Sequence, residues 1–160
     1  MKKLTSLCLM LLVASSAVQA ASSSTTAASC DRECLRSLLT ATLYSFLKHD
    51  TSKLPLGDNL RVTEDAIEKP LDKVSLLRTV TRLRGYRQDF LDEREGMATT
   101  ATLVEEVGAP VLLVVRLKVV DQKITEMELV ATRSRADGLI FNIDGLSAAS
   151  EVMNYAPRPE

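Results

Sequence analysis

The stretch from Gly96 to Arg133, GMATTATLVEEVGAPVLLVVRLKVVDQKITEMELVATR, reads as three antiparallel strands in succession, and the other elements must pack against them. Its middle piece, Val111 to Val120, is too short for a bilayer span and rich in the β-branched residues that suit a pleated surface. Its odd positions, Val111 through Val119, are uniformly apolar. Its even positions begin apolar, at Leu112 and Val114, then turn charged at Arg116 and Lys118. A strand of this pattern is covered on both faces at one end and on one face at the other. Lys123 to Ala131 splits in the same way, with Thr125, Met127, Leu129 and Ala131 set against Ile124, Glu126, Glu128 and Val130.

Charge decides the expected register of this hairpin. A two-residue turn at Asp121-Gln122 sets Leu117 opposite Glu126 and mixes the faces. A three-residue turn, Asp121-Gln122-Lys123, pairs Val120 with Ile124, Lys118 with Glu126 and Arg116 with Glu128. It also stacks Leu117 on Met127 and Val115 on Leu129, so the three-residue turn is expected. The resulting Arg116/Lys118/Glu126/Glu128 ladder reads as a solvated outer face, each exposed pair worth roughly 0.2–1 kcal/mol. The alternative is a charged lining for a ligand cavity.

Residues 1–20 combine a basic start (Lys2, Lys3), an apolar run from Leu7 to Val13 and small residues ending at Ala20. This is the pattern of a secretory signal peptide cleaved after Ala20, which implies a secreted or periplasmic protein with no stable membrane insertion. Residues 21–29 (ASSSTTAAS) read as a disordered polar leader. About 130 residues remain, enough for one domain that buries roughly two-thirds of its unfolded surface. A net charge of −1, with Arg82, Arg84 and Arg87 as the one basic cluster, excludes an electrostatic case for nucleic acid. Export makes a disulfide between Cys30 and Cys34 the expected pairing, with Cys30 just outside the helix start. No metal is expected, because no histidine lies near these cysteines and structural zinc wants four ligands.

Asp31 to Lys48 carries helical periodicity. Leu35, Leu38, Leu39, Thr42, Leu43, Phe46 and His49 fall on one face, with Tyr44 pointing away. His49, the single histidine, is either a cap favoured by the helix dipole or an acid or base at a pocket. After a turn-rich connector, Asn59 to Ile67 alternates as a strand with Leu60, Val62, Glu64 and Ala66 on one face. Glu64 is thus a carboxylate on an apolar face, and burial would raise its pKa toward the range useful for proton transfer. The competing reading is a strand-end carboxylate paired with arginine. Asp65 faces the other way, near Arg61. Residues 68–84 are ambiguous between loop, helical turn and strand edge, and Tyr86 to Leu91 leads as a strand into the meander through a turn at Asp92–Gly96.

The run CDRECL (residues 30–35), a helix ending LKHD, the connector LPL, the strand RVTED, then YRQDFLD and RLKVVDQKITEMELVATR resemble the SnoaL-like superfamily. This is the cone fold shared with nuclear transport factor two and ketosteroid isomerase, and more narrowly the chain resembles secreted SnoaL-like domains. The resemblance covers residues 30–133. It implies an α+β fold in which a curved antiparallel β-sheet wraps around a long N-terminal helix and leaves a pocket in the cone. It further implies a ligand site at Thr42, Phe46, Val62 and Tyr86, with Glu64 and His49 as the catalytic candidates. In the isomerase branch a helix tyrosine and a strand aspartate do the chemistry. Here Thr42 stands at the first position and Glu64 or Asp65 at the second, with the face argument choosing Glu64. The dehydratase branch uses paired histidines, and this chain has one.

The tail, residues 134–160, holds an apolar run (Leu139-Ile140-Phe141) and a weakly helical LSAASEVMNY, expected to pack on or near the cone mouth, where Phe141, Met153 and Tyr155 could cover a pocket. Two functions follow. One is a cofactor-free lyase, dehydratase or isomerase with Glu64 as base and His49 as acid or orienter. The other is a non-catalytic module that binds a small apolar or aromatic molecule or forms a homodimer through the sheet. Glu64 and His49 within reach of each other would favour the first; either one on the outer surface favours the second.

Overall fold

The computed structural model describes residues 29–133 and 142–149. The expected signal peptide, nearly all of the leader, and Phe141, Met153 and Tyr155 lie outside these residues. Helix α1 spans Arg32–Lys48. Six strands follow: β1 Leu56–Glu64, β2 Ile67–Glu68, β3 Val80–Asp92, β4 Met97–Glu106, β5 Ala109–Val120 and β6 Lys123–Thr132. A 3-10 turn at Leu71–Lys73 and a short helix α2, Leu76–Thr79, precede β3, and α3 spans Ile143–Ala149. The strands form one curved, unclosed sheet in the order β2-β1-β6-β5-β4-β3.

The α+β architecture is the expected one, a long helix against a curved sheet. The sheet is mixed, because β1 runs parallel to β6 while the other pairings are antiparallel. Helix α1 begins at Asp31, whose carboxylate accepts the Cys34 N–H at 2.8 Å, satisfying a backbone donor that the first turn leaves free. Cys30, outside the helix, is disulfide-bonded to Cys34 with the Cα atoms 5.2 Å apart. The helix ends where His49 adopts a left-handed conformation (φ 54°) and its N–H returns to the Phe46 carbonyl.

The β5–β6 hairpin corrects the expected turn and the expected Val120–Ile124 pair, Ile124 facing Val119 instead, while keeping the expected register from Lys118 back along β5. Arg116 pairs with Glu128, Lys118 with Glu126 and Leu117 with Met127. The turn itself has two residues, Asp121 and Gln122, both at positive φ, and Val120 faces Lys123. A bulge reconciles the two, since the register shifts between Lys118 and Val119 and leaves Thr125 as the extra residue. The bulge turns Ile124 inward as well as Met127, and both are buried. On the outer face the Arg116 guanidinium bonds both Glu126 and Glu128, while Lys118 reaches the Glu95 carbonyl.

Strand β1 ends earlier than the alternation suggests. Asp65 and Ala66, both at positive φ, form a two-residue turn, so Ala66 leaves the Val62/Glu64 face. Strand β3 begins six residues before Tyr86, and Arg82 and Arg84 lie exposed on this edge strand.

The core lies between α1 and the inner face of the sheet. Leu35, Leu39, Leu43 and Phe46 from the helix join Val62, Val104, Leu113, Val115, Leu117, Met127 and Leu129 in one cluster. A smaller cluster, Tyr86, Leu103 and Leu112 with Leu146 of α3, covers part of the outer face. This accounts for the double-sided apolar start of β5.

Candidate functional site

Glu64 closes β1 on the inner face, with a side chain 2% exposed. The Asp65-Ala66 turn reverses the chain and brings Lys69 back, its Nζ 2.8 Å from Glu64 Oε2. Pro70 and the 3-10 turn then redirect the backbone so that α2 starts directly over the carboxylate. The Ser75 N–H donates to Oε2 at 3.0 Å, the Ser75 hydroxyl to Oε1 at 2.6 Å and the Leu76 N–H to Oε1 at 3.1 Å. Arg133 Nη2 adds a longer bond to Oε1 at 3.4 Å.

Burial by itself pushes the Glu64 carboxyl up. The bonds from Lys69, Ser75 and the backbone of Ser75 and Leu76 outweigh it and hold the group at about 2. The expectation of a pKa raised toward neutrality is thus reversed. Apolar neighbours were visible in the sequence, but the donors come from a segment whose structure was not. Both carboxylate oxygens are occupied, so Glu64 has no vacant lone pair aimed at a substrate proton and little basicity near neutral pH.

Arg133 extends the network across the end of the sheet. Its Nε lies 2.6 Å from Glu106 Oε2 and its Nη1 2.6 Å from Asp65 Oδ2. Asp65 also accepts the Ala131 N–H at 2.8 Å, and Thr79 donates its hydroxyl to Glu106. Asp65 therefore pairs with Arg133 and not with Arg61, which turns to Glu68 at 3.2 Å. One guanidinium ties together the ends of β1 and β4.

The remaining candidates divide. His49 is exposed, and its Nδ1–H donates to the Leu77 carbonyl at 2.7 Å. No hydrogen bond or ion pair joins it to Glu64 among the described residues. Thr42, Phe46 and Val62 are buried between helix and sheet, and the Thr42 hydroxyl donates to the Leu38 carbonyl at 2.8 Å. Tyr86 is buried on the opposite face. Arg87 pairs with Thr102 on the inner side, so its neighbour Tyr86 points outward to Leu103 and Leu112. The structure buries three of the four ligand-site candidates between helix and sheet and leaves the two catalytic ones without a direct bond to each other among the described residues.

The competing reading, a strand-end carboxylate paired with an arginine, is the one observed, with Arg133 as that arginine, while Lys69 and Ser75 were not anticipated as partners of Glu64. Arg133 had a signal, since it continues the inward series Met127, Leu129, Ala131. Ser75 had none. A surface groove of about 200 Å³ lies on the solvent side of α1, lined by Tyr44, Ser45, Lys48 and Leu54 among others, and none of the candidates lines it. Among the described residues, no group of three or more His, Cys, Asp or Glu is placed to hold a metal ion.

Neither a family model nor a curated protein matches the sequence. Among solved structures, the chain is similar to a de novo designed protein with a curved β-sheet, at 16% identity over 70% of this chain and 98% of that one, with a TM-score of 0.50. It is similar to AclR of Streptomyces galilaeus, a proposed hydroxylase, at 15% identity over 80% of this chain and 91% of that one, with a TM-score of 0.51. A de novo designed NTF2-fold protein aligns at 16% identity over 69% and 87% of the two chains, with a TM-score of 0.40. The likeness is one of fold. At such identities it carries the helix-on-curved-sheet architecture and no reaction.

Proposed function

We propose that this chain is an exported SnoaL-like, NTF2-like module that binds a small apolar or aromatic molecule between α1 and the sheet without converting it or using a cofactor. The observation that carries this reading is the state of Glu64, a buried carboxylate whose oxygens are already bonded to Lys69, Ser75, Leu76 and Arg133. The one histidine lies on the surface, bonded to a backbone carbonyl. General acid–base catalysis needs a group with a free site and a pKa near the working pH, and Glu64 offers neither. A lyase or isomerase using Glu64 would first have to strip these donors from it.

Apolar recognition is supported by the apolar character of the layer between α1 and the sheet, where Phe46, Val62, Leu113 and Val115 lie buried. Export is supported by the charge and hydropathy pattern of residues 1–20 and by the Cys30–Cys34 bridge. Homodimerisation through the outer sheet face is supported by Phe90 and Val130, exposed by 56% and 47%. The test is mass spectrometry under native conditions of the full chain produced with export. The expected result is a small-molecule adduct that denaturation releases and that incubation leaves chemically unchanged. A bound molecule that is converted on incubation would overturn the non-catalytic reading.

A further inference from the structure

The groove of about 200 Å³ on the solvent side of α1 has an aromatic ring and two ammonium groups among its walls. Tyr44 and Lys48 stand one turn apart on the helix, and Asp50, Lys53 and Leu54 come from the connector after it. The Asp50 N–H donates to the Ser45 carbonyl at 3.0 Å and turns the connector back over the last turn of the helix. Buried Ser45 and Leu54 form the floor, and the Tyr44 ring, 49% exposed, stands beside them. The Ser45 hydroxyl is already spent on the Thr42 carbonyl at 2.7 Å, so the floor demands no polar partner. Lys48 Nζ lies 5.9 Å from the centre of the Tyr44 ring, within cation–π range. Among the described residues, neither Lys48 nor Lys53 forms an ion pair with a carboxylate. Asp50, the one acid of the groove, accepts the Ser52 N–H at 2.9 Å.

We propose that this groove binds a small aromatic monoanion, a single ring bearing a carboxylate, with the ring against Tyr44 and Leu54 and the carboxylate between Lys48 and Lys53. The site lies outside the helix–sheet layer, and the inference goes beyond the binding reading above without resting on it. The ring follows from the lining, since an exposed aromatic face beside an apolar floor favours a flat apolar group. The size follows from the volume. A cavity of about 150 Å³ accommodates benzene, and the groove leaves room for a carboxylate besides. The charge follows from the lysines. A cation would meet both ammonium groups, and two lysines less one aspartate leave a single positive charge, which suits a monoanion better than a dianion.

The test is an amide NMR titration of the full chain with three probes. Benzoate carries ring and charge, benzamide has nearly the same shape without the charge, and acetate has the charge without the ring. Expected is benzoate binding with a dissociation constant on the order of millimolar, shifting the amides of Tyr44, Lys48 and Lys53. Benzamide and acetate should each bind more weakly by a factor of about 3 to 10. Tyr44→Ala should weaken benzoate by a factor of about 3 to 10, and Lys48→Gln and Lys53→Gln by about 2 to 5 each. All three side chains are exposed, so these substitutions leave the core intact. Benzamide or acetate binding as well as benzoate, or benzoate indifferent to both lysine variants, would overturn the inference. So would a titration in which the groove amides do not move. If benzoate instead shifts Val62 and Leu113 of the helix–sheet layer, the groove inference falls while the binding reading stands.

Discussion

Lys69 lies 2.8 Å from Glu64, five residues earlier in the chain, because two residues at positive φ, Asp65 and Ala66, fold the backbone back on itself. The contact is covered on the Glu64 side, where the carboxylate is 2% exposed, and partly open on the Lys69 side, where a quarter of the side chain meets solvent. This hairpin turns a carboxylate that looked like a buried base into the hub of an ion-pair network joining β1, β4 and α2.

Replacing Glu64 by Gln removes the charge that Lys69 and Arg133 answer and leaves two cations near a low-dielectric interior. Breaking a buried pair from one side costs about 3 kcal/mol. The expected result is a loss of that size in urea unfolding with the m-value unchanged. Ligand affinity, measured without denaturant where the variant is folded, should stay within about twofold.

Acid should act through the same group. The folded pKa of Glu64, about 2, lies below its ordinary value of 4.5, so the unfolded chain binds the proton more readily. Its contribution is therefore fully present above about pH 5 and is lost as pH falls from about 4.5 toward 2, a loss of about 2 kcal/mol after allowing for solvent near Lys69 and Arg133. Unfolding midpoints measured between pH 6 and pH 2 in the unaltered protein and in Glu64→Gln should converge as the pH drops.

Gly96 has φ +58°, and a Cβ there would clash with the Val119 carbonyl oxygen, where Val119 N–H already donates to the Gly96 carbonyl at 2.8 Å. Gly96→Ala should cost about 2–3 kcal/mol, since the left-handed conformation and the backbone clash both oppose it. Thermal unfolding of the variant checks the value.

Val107 is a β-branched residue at φ 49° in the two-residue turn it forms with Gly108 between β4 and β5, and it is 80% exposed. Asparagine tolerates this conformation far better, and Asn-Gly is a preferred pair for such a turn. Val107→Asn should stabilise the fold by about 0.5–1 kcal/mol, seen as a raised urea midpoint.

Much of the fold was legible because period-2 and period-3.6 patterns are strong in this chain. Phe46 on the buried helix face follows from spacing alone, and Met127 opposite Leu117 from spacing together with charge pairing. What spacing could not supply was the bulge at Thr125, which lets a two-residue turn coexist with the register that charge demands. Nor could it reveal the parallel pairing of β1 with β6, a contact between segments more than 60 residues apart. The site was less legible for the same reason. That Glu64 points inward is local information, whereas its partners Ser75 and Arg133 arrive through tertiary structure. Tyr86 was placed with the interior because a bulge between Leu83 and Arg87 obscures the parity of β3.

The protonation of Glu64 tests the central claim most directly. Carboxyl carbon chemical shifts of the 13C-labelled protein, followed from pH 8 down to the acid limit of the fold, report it without reference to any ligand. A Glu64 signal that stays ionised down to about pH 2 agrees with a carboxylate held by its donors. A Glu64 titration centred near pH 6 or 7 would identify a poised base and contradict the account.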